Sequence, residues 1–418
     1  MSSDRYIVSA PGKVILFGEH AVVYGKTAIA GSLDGLRTYA FFEKRIDGYV
    51  ELNLPDLGLQ RAFLWPASAL PYNLVNNVDI KEPQNLNFND VLLHKIKSIA
   101  LEGQDNQQIN NFQQIAAFTF LYLYTCLEYN SQTSCGMTIY VRSNIPVGAG
   151  LGSSASYSVC LATGLLLAFG HILSPYESNE QGIKKSSELI NLWAYQAEKV
   201  IHGTPSGVDN SVATYGGAIM FVNGVIQNMM GTRSLRFLLT NTKVPRNTKI
   251  LIENVRTRIE NVKGFPKITN LILDAIHDIS ESFKEILGSE IMDDQELYTK
   301  TEGLIDMCHH LLNSLGVGHP SLDKVREIAA QCDLHTKLTG AGGGGCALTL
   351  IRNDVSKEQI EIVKTALTAS PHCFECYETS IGGHGVGVLD ASSDKSLQEF
   401  SECEKNQLAG IIGWMYFA

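Results

Sequence analysis

Runs in which β-branched and aromatic residues crowd together predict strands at 6–8, 14–17, 38–43 (TYAFFE) and 49–54 (YVELNL), with turn residues between them. The polar tract QDNQQINNFQQ at 104–114 reads as a loop that feeds an apolar helix over 115–129. That stretch is too short to span a bilayer and carries Thr119, Thr125 and Glu128, so it predicts a buried helix. Residues 137–142 (MTIYVR) predict another strand, followed by a glycine-rich loop and an apolar helix beginning near Ser153. A polar insertion at 174–186 precedes a helix at 187–202. Residues 217–222 and 249–253 are strand-like, and 255–333 reads as mostly helical. β character returns at 346–351 (CALTLI), helix at 356–369 and strand at 385–389. No repeat at solenoid periods is visible. The pattern is α+β, divided near residue 230 into segments 1–230 and 231–418.

Composition narrows the class. With 418 residues and 44% apolar content the chain can bury a large core and exceeds one comfortable domain. A net charge of −10 argues against holding nucleic acid by a basic face. The start, MSSDRYIVSAPGKVILFGEH, has no basic segment followed by a long apolar run, and the final MYFA carries no prenylation box. Nine scattered cysteines exclude a complete disulfide framework and fit reduced thiols. The expected compartment is the cytoplasm.

Three glycine-rich segments hold the candidate chemistry. In SNIPVGAGLGSSAS, glycines 148, 150 and 152 let backbone approach a ligand. Ser153 and Ser154 then open a helix whose free N–H groups and dipole favour an anion. Neither a GxxxxGK[ST] loop nor a dinucleotide fingerprint is present there. Gly340, Gly342 and Gly345 do satisfy GxGxxG, but a strand-like CALTLI follows where a helix is required, which excludes a dinucleotide site. Five glycines in 340–345 exceed the needs of a hairpin and predict bare backbone packed on a ligand or another loop. In SAPGKVILFGEH, Lys13, Glu19 and His20 gather among residues that otherwise read as buried, which marks a polar site.

Two carboxylates complete the set. Along 187–202, Ile190, Trp193, Ala194, Ala197 and Ile201 share an apolar face, and Glu198 sits at its edge. Directly downstream, HGTPSGVDN is a turn that presents Asp209. Magnesium-dependent phosphoryl transfer needs one carboxylate for the metal and another to align or deprotonate an attacking hydroxyl. Spacing alone does not assign the two.

SAPGKVILFGEHAVVYG, PVGAGLGSSAS and KLTGAGGGGCALTL resemble, in order, the three signature motifs of the GHMP small-molecule kinases. FGEHAVVYGK, HGTPSGVDN, TNTKVPRNT (240–248) and SLGVGHPSLD (314–323) narrow the likeness to the branch that acts on mevalonate. The likeness runs from about residue 6 to 390 and diverges at 80–115, at 174–186 and in the tail. It implies a ribosomal protein S5-like N-terminal domain, a ferredoxin-like C-terminal domain and a homodimer. It also implies transfer of the ATP γ-phosphate to the 5-hydroxyl of (R)-mevalonate, assisted by Mg²⁺, in isoprenoid and sterol precursor synthesis. Lys13 would contact the transferring phosphate and Asp209 would act as catalytic base. Ser143 and the loop Gly148, Ala149, Gly150, Leu151, Gly152, Ser153 and Ser154 would wrap ATP. Asp56, where some relatives carry Asn, falls near the nucleotide. Ser154 and Glu198 would hold the metal, and Glu19, His20, Asp209 and Thr248 would line the substrate pocket. Rival readings are a kinase for phosphomevalonate or galactose, or a catalytically dead sensor. Glu19, His20 and Thr248 favour mevalonate over the first, and the presence of Lys13, Ser154, Glu198 and Asp209 opposes the second.

Weaker signals remain. Cys373 and Cys376 beside His372 lack the second pair that a zinc site needs. His309, His310 and His319 read as surface or capping residues.

Overall fold

A computed structural model describes residues 4–75, 78–83, 90–102, 108–129, 136–229, 233–261, 265–289, 291–391 and 397–418. Among these, thirteen strands form one connected sheet: β1 (Arg5–Phe17), β2 (Ala28–Arg45), β3 (Tyr49–Asn53), β4 (Phe63–Pro66), β5 (Gly136–Ser143), β6 (Ala218–Val222), β7 (Val225–Met229), β8 (Leu235–Asn241), β9 (Thr336–Thr339), β10 (Cys346–Ile351), β11 (Glu375–Ile381), β12 (Gly387–Asp390) and β13 (Met415–Tyr416). The long path runs β13-β12-β1-β2-β11-β8-β10-β9. Strand β2 is the junction, because its 18 residues also pair with β5 over Thr38–Arg45 and with β6 over Ala28–Gly31. All the strand pairs are antiparallel except β3 with β5.

The helices are α1 (Asp90–Leu101), α2 (Asn111–Tyr129), α3 (Ser153–Ala168), α4 (Glu180–His202), α5 (Val208–Tyr215), α6 (Thr248–Glu260), α7 (Pro266–Gly288), α8 (Asp294–Ser314), α9 (Pro320–Ala330), α10 (Lys357–Thr368), α11 (Leu397–Glu402) and α12 (Lys405–Leu408). Two main apolar cores result. The first gathers α1–α4 against β2–β5 and the start of β1; the second gathers α6–α10 against β8–β11 and the end of β1. One strand therefore serves both cores, with Val8 and Ala10 in the first and Val14, Leu16 and Phe17 in the second. The pairing of β1 with β2 shifts register between Pro11 and Gly12, one residue before Lys13. A bulge re-aims the side chains that follow it, and here it turns Lys13 into the seam between the cores.

Several expectations need correction. Segments 6–8 and 14–17 belong to one strand, because the register shift absorbs Pro11 without ending the pairing. The strand-like 249–253 lies in α6, whose first turn is fixed when the Asn247 side chain accepts from the Ile250 N–H at 3.2 Å. Half of the polar insertion is helical: α4 starts at Glu180, capped by Asn179, whose side chain accepts from the Gly182 N–H at 2.9 Å. His319 does cap a helix, and His310 is exposed, but His309 is core. Its Nδ1 accepts from the Leu338 N–H at 3.3 Å while Nε2 meets Asp323 Oδ1 at 3.1 Å, so both ring nitrogens are satisfied inside. The apolar helix begins at Asn111, inside the expected loop, and residues 104–107 of that loop lie outside the described residues. The division at 230 and 231 also lies outside them. No helix of the described residues is long and apolar enough to cross a membrane. Cys373 and Cys376 are free thiols, and no group of three or more potential metal ligands occurs among the described residues.

Candidate active site

Helix α3 carries the centre of the site. Thirteen of its sixteen residues are buried, as befits a helix that is apolar on all sides. Gly164 lets it settle on β2, since a Cβ there would lie 2.0 Å from Phe42 Cζ. At its other end Ser156 Oγ donates to Ala10 O at 2.6 Å and accepts from the Thr38 N–H at 3.3 Å. These anchors fix the first turn, with Ser153 and Ser154 facing a cleft of about 1360 Å³. The cleft runs along the seam and is lined by residues of both halves, among them Lys13, Asp209, Thr248 and Ala341.

The glycines have separate reasons. Gly148, Gly150 and Gly152 all adopt left-handed φ, from +72° to +76°. A Cβ on Gly152 would meet Lys13 Cγ at 2.8 Å, and one on Gly150 would meet Arg246 Nη2 at 1.7 Å; Gly148 faces open space. Part of the glycine pattern therefore makes room for two cations rather than for a ligand. Arg246 donates to Ala149 O at 2.8 Å and to Thr339 O at 3.4 Å, bridging this loop to the second glycine loop. That second loop joins the antiparallel β9 and β10, so it is a hairpin connection, and its bare backbone packs on another segment: Gly344 on Val244 and Gly345 on Arg246.

Two carboxylates stand in contrasting states, Asp209 on the cleft lining and Glu198 behind Ser154. Lys13 Nζ and Asp209 Oδ1 form an ion pair at 3.1 Å, with Asp209 about one-third exposed on the first turn of α5. Glu198 is 3% exposed. Its Oε1 accepts from Ser158 Oγ at 2.9 Å and its Oε2 from Ser154 Oγ at 3.3 Å. Burial pushes its carboxyl up to about 7, against the pull of the Ser158 hydrogen bond and with a further push from Asp209. Among the described residues no lysine forms an ion pair with it, the ordinary fate of a rim carboxylate; Lys13 acts on it from a distance, and the His202 imidazole lies with Nε2 at 3.7 Å. That nitrogen also lies 3.1 Å from Ser154 Oγ.

Glu19 and His20 sit at the other end. Glu19 is fully buried and its carboxylate is paired with Lys337, itself 1% exposed, so it lines the cleft as part of its floor. Burial raises its pKa, opposed by Lys337. His20 holds a φ of 61° and donates from Nε2 to Ala341 O at 2.8 Å; burial lowers its pKa and keeps the ring neutral. Thr248 is exposed at the start of α6, on the cleft. Towards Ser143, Asp56 Oδ2 accepts from the Ser143 N–H at 2.8 Å and from Arg142 Nε at 3.1 Å.

The structure thus brings all the sequence-predicted site residues to one cleft or its immediate wall. Sequence reasoning missed Arg246, Lys337 and His202. Each lies inside or beside a motif already singled out, but a lone basic residue there has no periodicity or spacing to mark it.

Two family descriptions match the chain: GHMP kinases N terminal domain over residues 119–217 and GHMP kinases C terminal over 296–367. The first span holds the glycine loop, Glu198 and Asp209, and the fold and site together define a small-molecule kinase of the GHMP class. Mevalonate kinase of Bos taurus is 43% identical, over 96% of this chain and 99% of that protein. That of Homo sapiens is 42% identical, with 96% and 99% covered. By this likeness the chain belongs to the mevalonate kinase family. Among solved structures, the Methanococcus jannaschii mevalonate kinase shares the fold at 24% identity and a TM-score of 0.61, over 90% of this chain and 98% of that one. The L. major enzyme, solved in complex with R-mevalonate, does so at 22% identity and a TM-score of 0.60, over 90% and 96%.

Proposed function

We propose that this chain transfers the γ-phosphate of ATP directly to the 5-hydroxyl of (R)-mevalonate, yielding 5-phosphomevalonate and ADP. The observation that carries this reading is the Lys13–Asp209 pair at 3.1 Å, set beside the open N-terminus of α3. Asp209 accepts the hydroxyl proton as the oxygen attacks the γ-phosphorus, and the bond to the β,γ-bridging oxygen breaks with its electrons leaving on ADP. Lys13 orients Asp209 and meets charge on the transferring phosphoryl group, while the α3 N–H groups and the glycine-loop backbone hold the phosphates. Binding thus relies on local donors, which suits a chain of net charge −10 that takes two anionic substrates.

Ser154 Oγ and Glu198 Oε2, 3.3 Å apart, are hard oxygen donors, and a buried carboxylate hydrogen-bonded to serine hydroxyls suits a divalent cation. Those two residues would hold Mg²⁺, which when bound supplies charge neutralisation at the phosphates. Glu19 and His20 shape the mevalonate end with Thr248, and Asp56 and Ser143 the nucleoside end. The family resemblance supports a two-domain division near residue 230 and a cytoplasmic homodimer whose product feeds isoprenoid and sterol precursors. An ATP-consumption assay across mevalonate, phosphomevalonate, galactose and homoserine tests the reading. Turnover is expected with mevalonate alone; preference for another acceptor, or none at all, overturns it.

A further inference from the structure

We infer that the C-terminal segment is part of the nucleotide site, and that Lys405 is a nucleoside-contacting residue on it; this rests on the kinase reading above. Arg142 ties the segment down. Its Nη1 donates to Ser401 O at 2.9 Å, Cys403 O at 3.0 Å and Phe400 O at 3.4 Å, while its Nε holds Asp56. Phe400 packs on Phe41, Leu408 is fully buried, and Phe417 reaches the first core. The turn these anchors impose sends Lys405 back to the cleft, where its Nζ pairs with Asp56 Oδ1 at 3.1 Å.

The glycine loop gives direction. It runs from Ser143 at the end of β5 to Ser153 at the start of α3. The phosphates belong at the α3 end, by the helix N-terminus. Asp56 bonds the Ser143 N–H, so Lys405 stands at the opposite, nucleoside end, where Leu54 and Leu57, which flank Asp56 in the chain, also line the cleft. Its ammonium is half exposed and Asp56 is its one partner among the described residues, so two of its three N–H donors are open to acceptors on a ribose or a base.

Lys405→Ala is expected to raise KM for ATP about three- to tenfold, the worth of one half-exposed charge-assisted hydrogen bond, with KM for mevalonate unchanged. Lys405→Arg should recover most of the loss. As competitive inhibitors against ATP, ADP should weaken by the same factor and inorganic tripolyphosphate should not. An unchanged KM for ATP in an enzyme that turns over mevalonate overturns the inference alone, as does equal weakening of tripolyphosphate, which would put Lys405 on the phosphates. A wild-type chain without mevalonate turnover instead overturns the kinase reading. Parallel rises in both KM values reduce Lys405 to a scaffold residue and also overturn the inference.

Discussion

The substitution Glu198→Gln removes a buried charge that the fold holds at a cost. The carboxyl is raised from 4.5 to about 7, chiefly by burial. At about 1.4 kcal/mol per pH unit that is roughly 3 kcal/mol of burden on the ligand-free protein. The native state binds this proton more tightly than the unfolded chain does. The burden is therefore absent below the unfolded value, grows between pH 4.5 and 7, and is complete above 7. A glutamine keeps both serine contacts, because the Ser158 and Ser154 hydroxyls can rotate to donate or accept. In urea titrations without ligand, Glu198→Gln should be more stable than wild type by up to about 3 kcal/mol at pH 8. At pH 5 the two should agree within about 1 kcal/mol. The variant should have lost turnover, and addition of Mg²⁺ with ATP should stabilise wild type far more than the variant. A variant less stable than wild type at pH 8, or a difference that does not change with pH, would refute the reasoning, since either requires that the ionised carboxylate be stabilising where it sits.

Three further outcomes are expected. Asp209→Asn should lower kcat by about 10²–10⁴-fold while ADP affinity by calorimetry stays within about threefold, because the amide cannot take the proton; near-normal turnover would remove Asp209 as base. Lys337→Met leaves the buried Glu19 carboxylate unpaired and should cost about 3–5 kcal/mol in urea titrations. Adding Glu19→Gln should return much of that, and strict additivity of the two changes would disprove the coupling. Gly150→Ala imposes a side chain at φ +76° and drives a Cβ into the Arg246 guanidinium, so KM for ATP should rise at least tenfold; wild-type kinetics would show that the Arg246 bridge is dispensable.

Much of this protein was legible along the chain. The start of α3 near Ser153 could be read because the glycine-rich loop gives way there to a continuous apolar run. The glycine loops, Lys13 and Asp209 could be singled out because unusual local chemistry is written in neighbouring residues. The strand-like KILIE (249–253) was misplaced, because its apolar run, Ile250 to Ile252, is too short to show a period and the Asn247 cap decides the outcome. What only the tertiary structure decided was partnership. Whether Glu198 faces a lysine or two serines, whether Glu19 on the cleft floor stands alone or is paired with Lys337, and which cations the glycines accommodate depend on contacts across as many as 318 residues of chain. Local sequence sets each residue's conformational choices and its charge. Its pKa and its role follow from what the fold buries against it, and β1, shared by both cores, brings those distant groups to one seam.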